Sequence, residues 1–209
     1  MSVIVTDAAS FRAAAQASDA QMADMEAFLA LLTQWNAVMN LVGPSALAEF
    51  WPRHAWDSAQ LLQVRPDALT WADLGAGAGF PGIVLAILLK GKPGAHVHLV
   101  ESMAKRCRFL SEVVTALGLP ATVHNRRAEE LTLKVNAVTA RACAPMTRLL
   151  RYAQPFLKQG ATGMFLKGQD VDAELEEATK SWKFKASLSP SLSSETGHIV
   201  EVAGPVRAR

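Results

Sequence analysis

The apolar positions of this chain follow two different rhythms. Met22, Met25, Leu29, Leu32, Trp35 and Met39 recur at steps of three and four residues, which predicts an amphipathic helix of about five turns whose stripe is packing surface. Ser18 and Gln21 stand at capping-box spacing ahead of it. A second helical stretch is expected over residues 45–63, started or kinked by Pro52. The alanine-rich residues 1–17 predict a frayed or loosely packed helix. From Thr70 the pattern changes. Short apolar runs at 70–74, 96–101, 121–125, 137–141 and 163–167 alternate with helical runs at 81–89, 104–117, 146–156 and 171–181. Such alternation implies parallel strands joined by right-handed helical crossovers. Residues 184–188 and 198–202 are strand-like, separated by Ser, Pro and Gly, and fit an antiparallel hairpin closing the sheet.

Composition narrows the class without naming it. A chain of 209 residues, 50% hydrophobic and 19% charged, is an ordinary globular protein with a sizeable core. We expect a helical cap over residues 1–66 packed on a core over 67–209, forming one compact unit. The longest apolar run, Ile83 to Leu89, is far too short to span a bilayer. No basic-then-apolar leader opens the chain. Cys107 and Cys143 carry no metal-ligand spacing, so no metal site and a cytoplasmic location are expected. The net charge of +2 is mild. Its distribution says more: Lys105, Arg106 and Arg108 cluster, Arg126 adjoins Arg127, and Arg141, Arg148 and Arg151 follow. Each cluster lies at or just past a predicted strand end, an arrangement that favours a polyanionic partner.

The chemistry concentrates in Asp73-Leu-Gly75-Ala-Gly77-Ala-Gly79-Phe80-Pro81-Gly82. A strand breaks into three glycines and re-forms as a helix, so backbone can approach a ligand and the helix N-terminus points at it. Gly77-x-Gly79-x-x-Gly82 matches dinucleotide spacing, whereas the Asp-x-Gly-x-Gly-x-Gly run resembles motif I of S-adenosylmethionine (AdoMet) methyltransferases. Both ligands remain open on the turn alone. In doubly wound folds a carboxylate placed like Glu101, at the end of the second strand, accepts ribose hydroxyls. Ala128 and Glu129 follow the third strand, where adenine lies in such folds, and the Ala128 N–H can bond the ring. The fourth strand ends in Arg141 without an Asn/Asp-Pro-Pro-Tyr motif. Methylating an exocyclic amine needs help to remove a proton; guanine N7 already presents a lone pair and needs only positioning. Arginine can bond guanine O6 or phosphate. In the cap, Asn36, Asn40, Arg53 and His54 are candidate substrate contacts, against the plainer expectation of an Arg53–Asp57 helical ion pair.

Together these residues resemble the RsmG/GidB family, which methylates guanine N7 in bacterial small-subunit (16S) ribosomal RNA. The likeness is carried by Trp35-Asn36-x-x-x-Asn40-Leu41, Arg53-His54-x-x-Asp57-Ser58, the Asp73–Gly82 run and Glu101-Ser102-x-x-Lys105-Arg106-x-x-Phe109-Leu110. Arg127-Ala128-Glu129, Arg141-Ala142 and Leu166-Lys167-Gly168 extend it. The resemblance implies a Rossmann-like class I AdoMet-dependent methyltransferase with an N-terminal helical cap. Asp73, Gly75, Gly77, Gly79, Phe80, Glu101, Ala128, Glu129 and Arg141 would then hold AdoMet, and S-adenosylhomocysteine would be the product. Arg141 and Arg127 would act at the target base. Asn36, Asn40, Arg53, His54, Lys105, Arg106 and Lys167 would meet RNA, presented as ribosomal RNA or the small subunit, to a monomeric enzyme. Two alternatives remain open: a methyltransferase of small molecules or proteins, with a closed apolar pocket, and an NAD-binding protein using Gly77-x-Gly79-x-x-Gly82.

Overall fold

The computed structural model describes residues 4–208. Strands β1 (Thr70–Leu74), β2 (His96–Glu101), β3 (Ala121–Asn125), β4 (Ala137–Arg141), β5 (Thr162–Lys167), β6 (Trp182–Pro190) and β7 (His198–Ala208) form one sheet in the order β3-β2-β1-β4-β5-β7-β6. The first five are parallel, and β7 runs antiparallel between β5 and β6. Successive strand residues feed opposite faces. Trp71, Val97, Leu99 and Met164 enter one apolar cluster, while Ala72, Val100, Val138 and Phe165 enter the other.

Helices α5 (Gly82–Leu89) and α6 (Ala104–Ala116) cover the first face; α7 (Met146–Leu157) and α8 (Val171–Ser181) cover the second. The chain before β1 folds into α1 (Ala8–Ala15), α2 (Asp19–Met39), α3 (Pro44–Ala48) and α4 (Trp56–Val64), whose apolar residues join the first cluster. Of the alanine-rich stretch, the described residues 4–17 are not frayed. Asp7 and Ser10 form a capping box, and Phe11 is fully buried with its ring 5.3 Å from that of Trp51. The stripe of α2 also differs from the periodic expectation, because Phe28 rather than Leu29 is its buried anchor. Phe28 meets Phe50, Phe80 and Phe109 at ring distances of 5.8, 5.3 and 6.5 Å. The expected second helix is three pieces. Around Pro52, which lacks an N–H, Phe50–Ala55 widens into a π-turn before α4.

Strand order reverses between β1 and β4, so a crevice opens at the carboxyl ends of the parallel strands. The glycine turn, Glu101 and Arg141 all lie there. No helix among the described residues is long and apolar enough to cross a membrane.

Candidate active site

Two cavities share this crevice. The first, about 350 Å³, is built from the ends of β1, β2 and β3: Leu74, Gly75, Glu101, Met103, Ala128 and Glu129 line it, with Arg106, Arg126, Arg127 and Tyr152 around them. The second, about 740 Å³, lies between the π-turn, the end of β4 and the segment joining β6 to β7. Arg53, His54, Asp57, Arg141, Lys167 and Ser193 line it. The cavities meet at Ala142 and Cys143, which line both. Ala142 holds a left-handed φ of +49°, an uncommon conformation for a residue with a Cβ. It turns the chain from one cavity to the other.

Gly75 lines the first cavity at φ +70°, and a Cβ there would lie 2.7 Å from Cys143 Sγ. The glycine is therefore needed for close approach of the turn to β4. The turn otherwise departs from the sequence expectation. Gly77 and Gly79 do not line the cavity; a Cβ on Gly79 would strike Ile83 and Phe28, so that glycine admits protein rather than ligand. The start of α5 is not an open anion site, because Gly82 N–H donates to Asp73 Oδ2 at 2.9 Å and Ile83 N–H donates to Gly79 O. Asp73 is fully buried and outside the cavity, so it braces the turn instead of reaching a ligand. Burial pushes its carboxyl up to about 7, against the opposing pull of the Gly82 amide and Arg141. A Cβ on Gly82 would clash with Leu99 and sit 2.7 Å from Asp73 Oδ2. Pyrophosphate binding at this helix start, which the dinucleotide reading needs, has lost its donor.

Glu101 sits in the first cavity where the sequence placed it. Its Oε2 accepts from Gly77 N–H at 3.1 Å and its Oε1 from Met103 N–H at 2.8 Å, with Arg106 Nη1 3.8 Å away. Two backbone amides thus fix the carboxylate and leave it lone pairs for a ribose. A fixed acid on one wall, apolar Leu74, Met103 and Ala128 around it and a volume in the range of small-molecule sites suit an adenosine-bearing group. By this test the residues present fit AdoMet.

Phe80 sits apart from the first cavity. Its side chain does not line the first cavity but is buried among Phe28, Phe50 and His54, whose ring centre is 5.0 Å away. Above it lies the Arg141 guanidinium, 4.9 Å from the ring centre. Arg141 likewise belongs to the second cavity and not the first. Its Nη1 donates to His54 Nδ1 at 2.8 Å and to Arg53 O at 3.2 Å, and lies 3.5 Å from Asp57 Oδ2. No hydrogen bond engages Nε or Nη2 among the described residues, so one nitrogen anchors the fork and the rest is free. Burial works against the guanidinium's charge; Asp57 and Asp73 sustain it. Because arginine only donates, His54 accepts at Nδ1 and carries its proton on Nε2, which is buried without a partner. Burial and the charges of Arg141 and Arg53 hold His54 down to about 4, a neutral ring at pH 7.

Other expected contacts divide. Asp57 pairs with Arg141, not with Arg53; the π-turn intervenes and Arg53 is exposed. Arg127 is an exposed residue on the rim of the first cavity, so it does not share the second with Arg141. Lys167 is not free for RNA: its Nζ donates to Glu174 Oε2 at 2.7 Å and to Ala144 O at 2.8 Å. Asn36 accepts from Val42 N–H at 2.8 Å and Asn40 ends α2 at φ +49°, so both shape the helix terminus. Lys105 is exposed, and Arg106 is half-buried beside Glu101. Sequence reasoning did not pick out Cys143, Tyr152, Glu174 or Ser193, which carry no local motif. Burial and the neighbouring Asp73, Glu101 and Glu129 raise the Cys143 thiol, keeping it protonated.

Comparison with known proteins gives a consistent result. Residues 21–200 match the family described as GidB, rRNA small subunit methyltransferase G. The chain is 60% identical to ribosomal RNA small subunit methyltransferase G of Caulobacter vibrioides, covering 98% of this chain and 95% of that protein. It is 66% identical to the protein of the same name from Caulobacter sp. (strain K31), over 95% of this chain and 90% of that one. Among solved structures, it is similar to a SAM-dependent methyltransferase from Aquifex aeolicus with a TM-score of 0.56 and 16% identity, covering 80% of this chain and 96% of that one. The last likeness speaks for the fold alone.

Proposed function

Because this chain belongs to the rRNA small subunit methyltransferase G family, we propose that it transfers a methyl group from AdoMet to N7 of a guanine in 16S ribosomal RNA. The carrying observation is the pair of cavities joined at Ala142 and Cys143, one suited to an adenosine and one presenting the free edge of an anchored arginine. When bound, AdoMet supplies a sulfonium methyl that an in-line nucleophile can take.

The protein's own part is positioning and charge. Glu101 and the small Ala128 orient the adenosine in the first cavity. In the second, the free nitrogens of Arg141 hold guanine O6 or an adjoining phosphate. Three bases that line this cavity are committed: His54 Nδ1 to Arg141, Asp57 to Arg141 and Ser193, and Glu174 to Lys167 and the Met146 N–H. An acceptor without a proton to lose suits such a site. Methylation leaves the guanine positive, and Asp57 and Glu174 supply compensating negative charge. Lys105, Arg108, Arg126 and Arg127 are exposed and give RNA phosphates a basic approach beside the first cavity. Arg53 does so at the second. We read residues 1–66 as a cap that builds the acceptor wall, residues 67–209 as the AdoMet core, and the enzyme as a cytoplasmic monomer.

The test incubates the protein with labelled AdoMet and, separately, naked 16S RNA, small subunits and cell protein, then maps the methyl by cleavage chemistry selective for N7-methylguanine. Label at one guanine N7 is expected. Label on an exocyclic amine, or on protein alone, would refute the proposal.

A further inference from the structure

We propose that Ser193, on the segment joining β6 to β7, is a positioning residue for methyl transfer that acts on Arg141 through Asp57. The proposal rests on the reading of Arg141 as the residue that holds the acceptor base. Ser193 Oγ donates to Asp57 Oδ1 at 2.7 Å, while Asp57 Oδ2 lies 3.5 Å from Arg141 Nη1. One carboxylate is thus shared between a distant loop and the anchored guanidinium.

The loop is fastened well enough to transmit orientation. Gln60 is fully buried, accepts from Leu192 N–H at 2.7 Å and donates to Asp57 Oδ1 at 2.8 Å. The Trp56 indole N–H donates to Leu192 O at 3.1 Å. Ser191 Oγ accepts from Ser193 N–H at 3.1 Å and lies 3.0 Å from Ser193 Oγ. Two side-chain donors therefore meet Asp57 Oδ1 and set the plane of the carboxylate. Removing the serine hydroxyl leaves Gln60 alone on that oxygen, and the carboxylate can turn away from Arg141. The contacts of Arg141 to His54 and to Arg53 O survive, so the guanidinium stays in the cavity with a looser aim. Small errors of aim are costly when catalysis consists of positioning. Neither Ser193 nor Asp57 lines the first cavity, so AdoMet binding has no reason to change.

The experiment compares wild-type protein with Ser193→Ala, Ser193→Thr, Asp57→Asn, the Ser193→Ala/Asp57→Asn double variant and Arg141→Ala, using small subunits as substrate. For Ser193→Ala we expect kcat to fall about tenfold, the worth of one hydrogen bond to a charged group. KM for the subunit and the AdoMet Kd from calorimetry should stay within about twofold of wild type, well under that effect. Ser193→Thr should restore most of kcat, and Ser193→Ala should cost nothing further once Asp57 is Asn. Unchanged kcat in Ser193→Ala, or independent effects in the double variant, overturns the proposal. A rise in KM with kcat intact also overturns it, by making Ser193 a plain substrate contact. If Arg141→Ala keeps wild-type turnover, the reading of Arg141 fails and takes the proposal with it. Loss of turnover in Arg141→Ala beside a wild-type Ser193→Ala defeats the proposal alone.

Discussion

Replacing Phe80 by Leu separates two roles that the sequence could not distinguish. Phe80 is buried against Phe28 and Phe50 of the cap, with Arg141 4.9 Å and His54 5.0 Å from its ring centre. Leucine keeps most of the apolar volume, so it costs less than the about 3–5 kcal/mol of truncation to alanine. It removes the aromatic face beneath the guanidinium, worth about 0.5–2 kcal/mol. If that face fixes Arg141 for the transition state, kcat falls by about two- to thirtyfold. Phe80 does not line the first cavity, so the AdoMet Kd should hold within about twofold. Phe80→Ala would in addition open a hole in the Phe28–Phe50 cluster at a cost of about 3–5 kcal/mol, lowering Tm by on the order of 6–20 °C for a chain of this size. Thermal melts, AdoMet calorimetry and single-turnover methylation of small subunits measure the three quantities. The reasoning is refuted if Phe80→Leu weakens AdoMet more than tenfold while kcat from saturating AdoMet is unchanged.

Further expectations follow from the same geometry. Gly75→Ala combines a φ of +70° with a Cβ 2.7 Å from Cys143 Sγ; it should weaken AdoMet binding by at least about fivefold, given about 1–2 kcal/mol of left-handed strain, and Cys143→Ala should recover only the steric part by calorimetry. Lys167→Ala leaves Glu174 Oε2 with the Met146 N–H alone and takes the ammonium from Ala144 O, and should lower stability by about 1–3 kcal/mol in urea titrations, whereas Lys105→Glu should leave stability intact and weaken RNA binding with a shallower salt slope. His54 and His98 are both held near 4 by burial and by neighbouring positive charge, so the unfolded chain takes up their protons first and stability falls as pH drops from about 6.5 towards 4. Asp73, raised to about 7 by burial, acts in the opposite sense: its stabilising contribution is lost as pH rises from about 4 to about 7, and Asp73→Asn should remove that part of the urea-midpoint profile.

Much of the frame was legible in the linear pattern. The strand runs at 70–74, 96–101, 121–125 and 137–141 match β1 to β4; β1, β2 and β4 lie inside the sheet, where strands covered on both faces read as largely apolar segments, whereas the edge strand β3 has no buried residue. The Ser18–Gln21 capping box likewise stands where spacing put it, since a cap is a local hydrogen-bond pattern. Glu101 could be placed from its position at a strand end, because the fold brings the ends of β1 and β2 side by side.

The side-chain partners were not legible. Asp57 looked like a partner for Arg53, yet a π-turn around Pro52 shifts the helical register and Arg141 arrives from another element. Lys167 looked like an RNA contact until α8 carried Glu174 to it. Phe80 and Asp73 looked like ligand contacts because they flank the glycines, but packing turned one under the cap and the other onto Gly82. What the sequence by itself determined is the order of elements and the place of the glycine turn, since hydrophobic period and turn chemistry act over a few residues. Only the tertiary structure decided which face of that turn opens onto the first cavity and which residues touch Arg141. Those contacts join positions far apart in the chain and are chosen by packing, which no local pattern records.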